Sequence, residues 1–178
     1  MKLLLAFLPF IAFAAASLLG HTTLGLVAGT VIAAGTVAWD GIAKGSRIKL
    51  LDVGTFVLFG ALTLFIWLTD ATLSIALVRA CVDIGLSLLV VGSVLIGRPF
   101  TLDYAPADAN ARANPRIMRT HSRVALAWAA AFALAAAADI ALWFDVIRPM
   151  GATAIIVGSL YAAFRFTRAY PHRARQPS

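Results

Sequence analysis

Residues 73–100 read LSIALVRACVDIGLSLLVVGSVLIGRPF. The stretch is apolar over about 25 positions, enough for a helix rising 1.5 Å per residue to cross a hydrocarbon layer about 30 Å thick. It nevertheless carries Arg79 and Asp83, four residues apart and therefore on one helical face. Ionisable groups at that depth face a bundle interior or a wet cavity, because contact with lipid tails is costly. The stretch thus predicts that the remaining chain supplies further helices around those groups.

Composition agrees. Of 178 residues, 61% are hydrophobic and 13% charged, whereas soluble domains run near ~45–50% apolar and ~25% charged. An all-α, polytopic membrane bundle forming a single integral membrane domain over residues 1–178 is the expectation. A net charge of +7 would point to nucleic acid in a soluble protein. Here the positions of the charges explain it better, and no nucleic-acid partner is expected. Cys81 is the single cysteine, which excludes an internal disulfide, a CxxC redox pair or a cysteine metal cage. It reads as a small buried apolar residue.

Six apolar segments follow from the pattern, at residues 3–19, 22–39, 53–69, 73–97, 124–144 and 150–166. The first ends in FAAAS and has the look of a cleavable signal peptide. Only Gly20 and His21 separate it from the second, however, which favours a retained hairpin. The second segment carries Gly25, Gly29 and Ala33, a ridge of small residues suited to close helix packing. Pro149 suits the first turn of the last helix.

Sorting Lys and Arg by loop gives an alternating pattern. Lys2 precedes the first span, and Lys44, Arg47 and Lys49 separate the second from the third. Arg98, Arg112, Arg116, Arg119 and Arg123 occupy the one long loop, residues 98–123, while Arg165, Arg168, Arg173 and Arg175 close the chain. The intervening loops hold only Arg148. The positive-inside rule then places both termini and both basic loops in the cytoplasm. Trp39, Trp67, Trp128 and Trp143 fall near span ends, as anchors at the membrane interface do. A faint echo links Val91-Gly92-Ser93 and Phe100-Thr101 with Val157-Gly158-Ser159 and Phe166-Thr167, as a duplicated hairpin would.

Counting residues along the helices gives depths. Arg79 lies roughly 13 Å inward from Asp70, and Asp83 roughly 6 Å deeper. Asp139, counted from Asp145, lies roughly 9 Å inward on the fifth span. The expectation is a buried Arg79, Asp83 and Asp139 cluster, because an unpaired charge there costs several kcal/mol. It reads either as a staple fixing helix register or as an ion path.

Enzymatic readings have less support. Asp40-Gly41-Ile42-Ala43-Lys44 has the opening of the CDP-alcohol phosphatidyltransferase motif, but only Asp52 follows, at the wrong spacing for a metal-binding carboxylate set. His21, His121 and His172 have no second ligand three or four residues away, so neither a zinc site nor any other metal is expected. No GxSxG, P-loop or Rossmann pattern occurs, so no cofactor is expected. His121 belongs instead with the arginines of the long loop, a basic surface for anionic headgroups of the lipid bilayer.

These residues suggest a family. The opening MKLLLAFLPFIAFAAASLLG resembles the MK-x-L-x-FLP-x-x-x-F start of the bacterial YciB, or intracellular septation protein A, family. Residues 56–65, FVLFGALTLF, are similar to its VVFGGLTLFF stretch; Ala125 to Ala129 with Asp139-Ile140 are similar to its LN-x-AWA-x-F…N-I segment. The order of these motifs along the chain is also shared. The family's IKWK is absent ahead of the fourth span, and its asparagine late in the fifth is Asp139 here. The resemblance implies a non-enzymatic inner-membrane protein of cell-envelope biogenesis and septation, working through contacts with envelope or division proteins. The buried charges alone suggest a second class, a small channel or transporter built as a homo-oligomer.

Overall fold

The computed structural model of the chain describes residues 8–43, 49–70, 73–104 and 114–173. All regular structure among them is helical. Six α-helices run in order: α1 (Leu8–Leu18), α2 (Thr22–Ala38), α3 (Leu50–Thr69), α4 (Ile75–Leu95), α5 (Pro115–Trp143) and α6 (Pro149–Arg173). A π-helical turn (Trp39–Ala43) continues α2, and a 3₁₀ turn (Phe100–Tyr104) follows α4. Five helices are long and apolar enough to cross a membrane; the described part of α1 spans 11 residues, and residues 3–7 of the expected first span lie outside the described set. The helices form two compact units, Met1–Val82 and Asp83–Ser178, with the boundary inside α4.

The first unit is built on α1, α2 and α3. α1 ends in a Schellman turn, with Gly20 left-handed at φ +82°. The His21 amide donates to the Ala16 carbonyl (2.9 Å) and the Gly20 amide to Ser17 (3.1 Å). This is the tight hairpin that the Gly20-His21 spacing suggests. The small-residue ridge of α2 then does what its sequence predicts: Gly25, Gly29 and Ala33 are all buried. A Cβ on Gly25 would sit 3.0 Å from the Phe13 carbonyl oxygen, so α1 rests directly on the α2 backbone. A Cβ on Gly29 would lie 2.7 Å from the ring of Phe59 on α3. That ring is fully buried and held edge-on by Phe10 (5.2 Å) and Phe13 (5.6 Å). Three helices therefore meet at one phenyl ring seated on one glycine. Beside it the Thr30 and Thr63 hydroxyls lie 3.3 Å apart, each also bonded to the carbonyl four residues earlier.

The second unit centres on α5. More than half of its apolar window is buried, 56%, against 11% for α6. Alanines 125, 129, 135 and 136 form the buried surface with Val124, Trp128 and Phe132, small side chains that let helices approach closely. Direction follows from two contacts. The Ser87 hydroxyl donates to the Ala129 carbonyl (3.0 Å), and Thr101, beyond the end of α4, donates to the His121 carbonyl (3.1 Å). Going forward from Ser87 therefore means going backward along α5, so the second half of α4 and α5 are antiparallel.

Helix boundaries differ from the hydropathy reading at one important place. α5 starts at Pro115, not near residue 124, so Arg116, Arg119, His121 and Arg123 are helical rather than part of a loop. The reason is local: Asn114 caps the helix, its side-chain oxygen accepting from the Arg116 (3.0 Å) and Ile117 (3.4 Å) amides, with Pro115 in the first turn. The same extension puts Trp128 in mid-helix. It is buried, not an interfacial anchor, and its indole donates to the Thr167 hydroxyl (2.9 Å). Trp39, Trp67 and Trp143 are exposed. α4 and α5 each end in a Schellman turn, with left-handed Gly97 and Asp145; Asp70 is left-handed at the end of α3.

Gly29→Ala is expected to cost about 1–3 kcal/mol, because the Phe59 ring has no room to yield. Gly35→Ala, on the same helix with open space at its Cβ position, should be neutral or slightly stabilising. Thermal unfolding of the two variants in detergent checks this; equal midpoints would refute the packing account.

Candidate functional sites at the charged helix ends

Among the described residues, polar chemistry collects in three places. The first is where the α2–α3 hairpin closes in the first unit. Asp40 lies in the π-helical turn, Lys49 immediately precedes α3, and Asp52 sits in the first turn of α3. The Lys49 ammonium is hydrogen-bonded to Asp40 and lies 3.5 Å from Asp52. Both aspartates are buried and Lys49 is largely so. Burial, the strongest single influence, pulls the lysine pKa down, but the hydrogen bond to Asp40 and the charges of Asp52 and Asp40 together hold it above the ordinary value of 10.5. Asp52 also gains from the partial positive charge at the start of α3. Among the described residues, Lys49 bridges Asp40 and Asp52 as an ionic lock. The sequence pattern places these residues between the second and third spans and does not show the lock. The available signal was Lys49 three residues before Asp52, at the start of a helix whose hairpin partner ends in Asp40.

The second place is the set of ionisable groups inside the apolar helices. Asp139, on α5, is fully buried; Arg79 and Asp83, one turn apart on α4, are half-buried. None of the three is without a partner. The Ser87–Ala129 contact sets Asp83 level with Ala133, which leaves Asp139 about 9 Å further along the α5 axis. Arg79 lies on the Met1–Val82 side of the unit boundary. Cys81 is half-buried and free. Among the described residues, no three His, Cys, Asp or Glu side chains converge as a metal site would require.

The third place is the N-terminal end of α5 and the C-terminal end of α6. The Thr101 hydroxyl donates to the His121 carbonyl, and His121 Nδ1 lies 3.1 Å from the same hydroxyl. The ring nitrogen and the hydroxyl pair in either direction, according to which imidazole nitrogen carries the proton. His121 therefore ties the 3₁₀ turn to α5 and is no member of a free basic loop. The turn is closed on its other side by Ser93, which accepts from the Phe100 amide (3.2 Å) and donates to Val90 (2.6 Å). Arg98 is exposed just after Gly97; Arg112 lies outside the described residues.

Arg116, Arg119 and Arg123 are all exposed, on one face of α5 at spacings of three and four. Arg123 donates to the Tyr170 hydroxyl and lies 5.9 Å from the centre of that ring. Tyr170 stacks in turn on Phe166, 4.8 Å between centres. Two contacts, Trp128 to Thr167 and Arg123 to Tyr170, thus lock the ends of α5 and α6 together. Arg165 and Arg168 project from the other side of α6, Arg168 lying over Phe164 at 5.7 Å. Comparison of the chain with protein-family models, with curated protein sequences and with solved structures returned no match.

Lys49→Met removes the ammonium that bridges two buried carboxylates and is expected to cost about 1–3 kcal/mol. Adding Asp40→Asn should recover part of that loss, a coupling that a double-mutant cycle measures. Because the folded lysine pKa lies above the unfolded value, the Lys49 charge contributes stability that is fully present below pH 10.5 and is lost as pH rises through the higher folded value. A stability profile in which the wild-type advantage over Lys49→Met already fades between pH 7 and pH 9, roughly, would refute this assignment.

Proposed function

We propose that this chain is a multi-pass inner-membrane protein of the bacterial cell envelope that works by association with envelope or division proteins, without catalysis or transport. In this reading α1 completes a sixth span, and both termini and the two basic ends lie in the cytoplasm. The alternation of Lys and Arg between successive loops supports that orientation. The observation that carries the choice between association and transport is Asp139. It is fully buried on the most enclosed helix, as suits a charge that fixes packing, whereas a permeation path needs ionisable groups that water can reach. The envelope and septation part of the reading draws on the ordered resemblance of the N-terminal, third-span and fifth-span segments to the septation protein family.

Orientation is tested with single cysteines at positions 116 and 148 in a Cys81→Ser background. A membrane-impermeant thiol reagent should reach position 148 in intact cells and position 116 only after lysis; the reverse pattern would reject the topology.

In proteoliposomes the wild-type chain should conduct no more protons or ions than empty vesicles, and Asp139→Leu should lower folded yield. A wild-type flux abolished by Asp83→Asn would establish the transporter instead. Deleting the chain from its own cell is expected to disturb septum formation or the envelope barrier, and normal division with an intact barrier would sink the envelope reading.

A further inference from the structure

We propose that Arg116, Arg119 and Arg123 on α5, with Tyr170 on α6, form a binding site for the phosphate headgroup of an anionic phospholipid. The proposal rests on the membrane reading given above and adds the ligand and its residues. Three arginines lie within two helical turns on one exposed face. No Asp or Glu occurs between residues 114 and 138, nor after residue 145. Among the described residues, no carboxylate pairs with any of the three. Guanidinium groups at this spacing present paired N–H donors, the geometry that phosphate oxygens accept. Arg123 is already oriented by its bond to the Tyr170 hydroxyl, so less side-chain freedom is lost when a phosphate binds.

What favours a lipid over a soluble phosphate, a phosphopeptide or nucleic acid is the continuation of the same face. Beyond Arg123 it runs through Leu126, Ala130, Leu134, Ala137 and Ile140, all exposed and all apolar. Arg123 to Ile140 spans about 25 Å of helix, more than the roughly 15 Å of hydrocarbon in one leaflet that an acyl chain occupies. A molecule that is anionic at one end and apolar along its length matches this face throughout. The Phe166–Tyr170 stack flanks the junction between the two parts, where aromatic rings sit at membrane interfaces. The helix amides contribute nothing here, since Asn114 already accepts from those of Arg116 and Ile117.

The test uses the full chain, delipidated and reconstituted in nanodiscs of phosphatidylcholine with increasing phosphatidylglycerol, with bound lipid counted by native mass spectrometry. Wild type should retain phosphatidylglycerol in preference to phosphatidylcholine. Arg119→Gln/Arg123→Gln should weaken that preference roughly 30-fold. Arg165→Gln/Arg168→Gln removes the same charge from the far side of α6 and should change it less than about twofold. Arg119→Lys/Arg123→Lys, which keeps charge and fold, should fall between the two. Equal losses in the two Gln variants would reduce the site to general surface charge and overturn it. Displacement of the lipid by inorganic phosphate or a short RNA would overturn it as well. Both failures leave the chain in the membrane, whereas recovery of the chain without detergent would defeat the membrane reading itself.

Discussion

A polar group that leaves water inside an apolar layer has to find its partner within the protein, and much of the polar structure of this chain follows from that constraint. The long helices satisfy their own backbone, and a run of threonine and serine hydroxyls turns to that same backbone. Thr30, Thr63, Thr69, Thr153 and Thr167 each donate to the carbonyl four residues earlier, and Ser93 and Ser159 to the carbonyl three earlier. Once quenched locally, those positions pack as small apolar ones, and helices approach on glycine, alanine and threonine rather than on large side chains. The Gly29–Phe59 contact is the clearest result: a fully buried phenyl ring fits only because its neighbour has no Cβ.

The same constraint sorts the charges. At the α2–α3 closure one lysine bridges two aspartates. The α5 arginines take a different course, remaining exposed with no described acid against them. One arrangement is closed and serves the fold. The other is open and points outward, which is why the outward one is the place to seek a ligand. Asp139 is a third case, a carboxylate on the most enclosed helix and sealed from the surface.

Much of this was legible in the residues themselves. Apolar runs of membrane length announce an all-helical chain, since a helix is the simplest structure that satisfies its backbone without water. The Gly20-His21 spacing announced a tight turn, and the repeat of Gly25, Gly29 and Ala33 announced a packed ridge, because a period near four residues faces one way on a helix. The start of α5 was not legible from hydropathy. Residues 115–123 are polar, and their helicity depends on the cap at Asn114 and on contacts with the 3₁₀ turn and α6.

Sequence by itself therefore determined the helical class, the main apolar segments and the alternation of positive charge between successive loops, all of which depend on spacing along one chain. Only the tertiary structure decided that Trp128 is a buried donor to Thr167, that His121 fastens a turn, and that Asp40, Lys49 and Asp52 form a lock. Each of those joins residues on different elements, separated by up to 39 positions. Hydropathy scores a residue's transfer from water, and it carries no information about which partner awaits that residue on another helix.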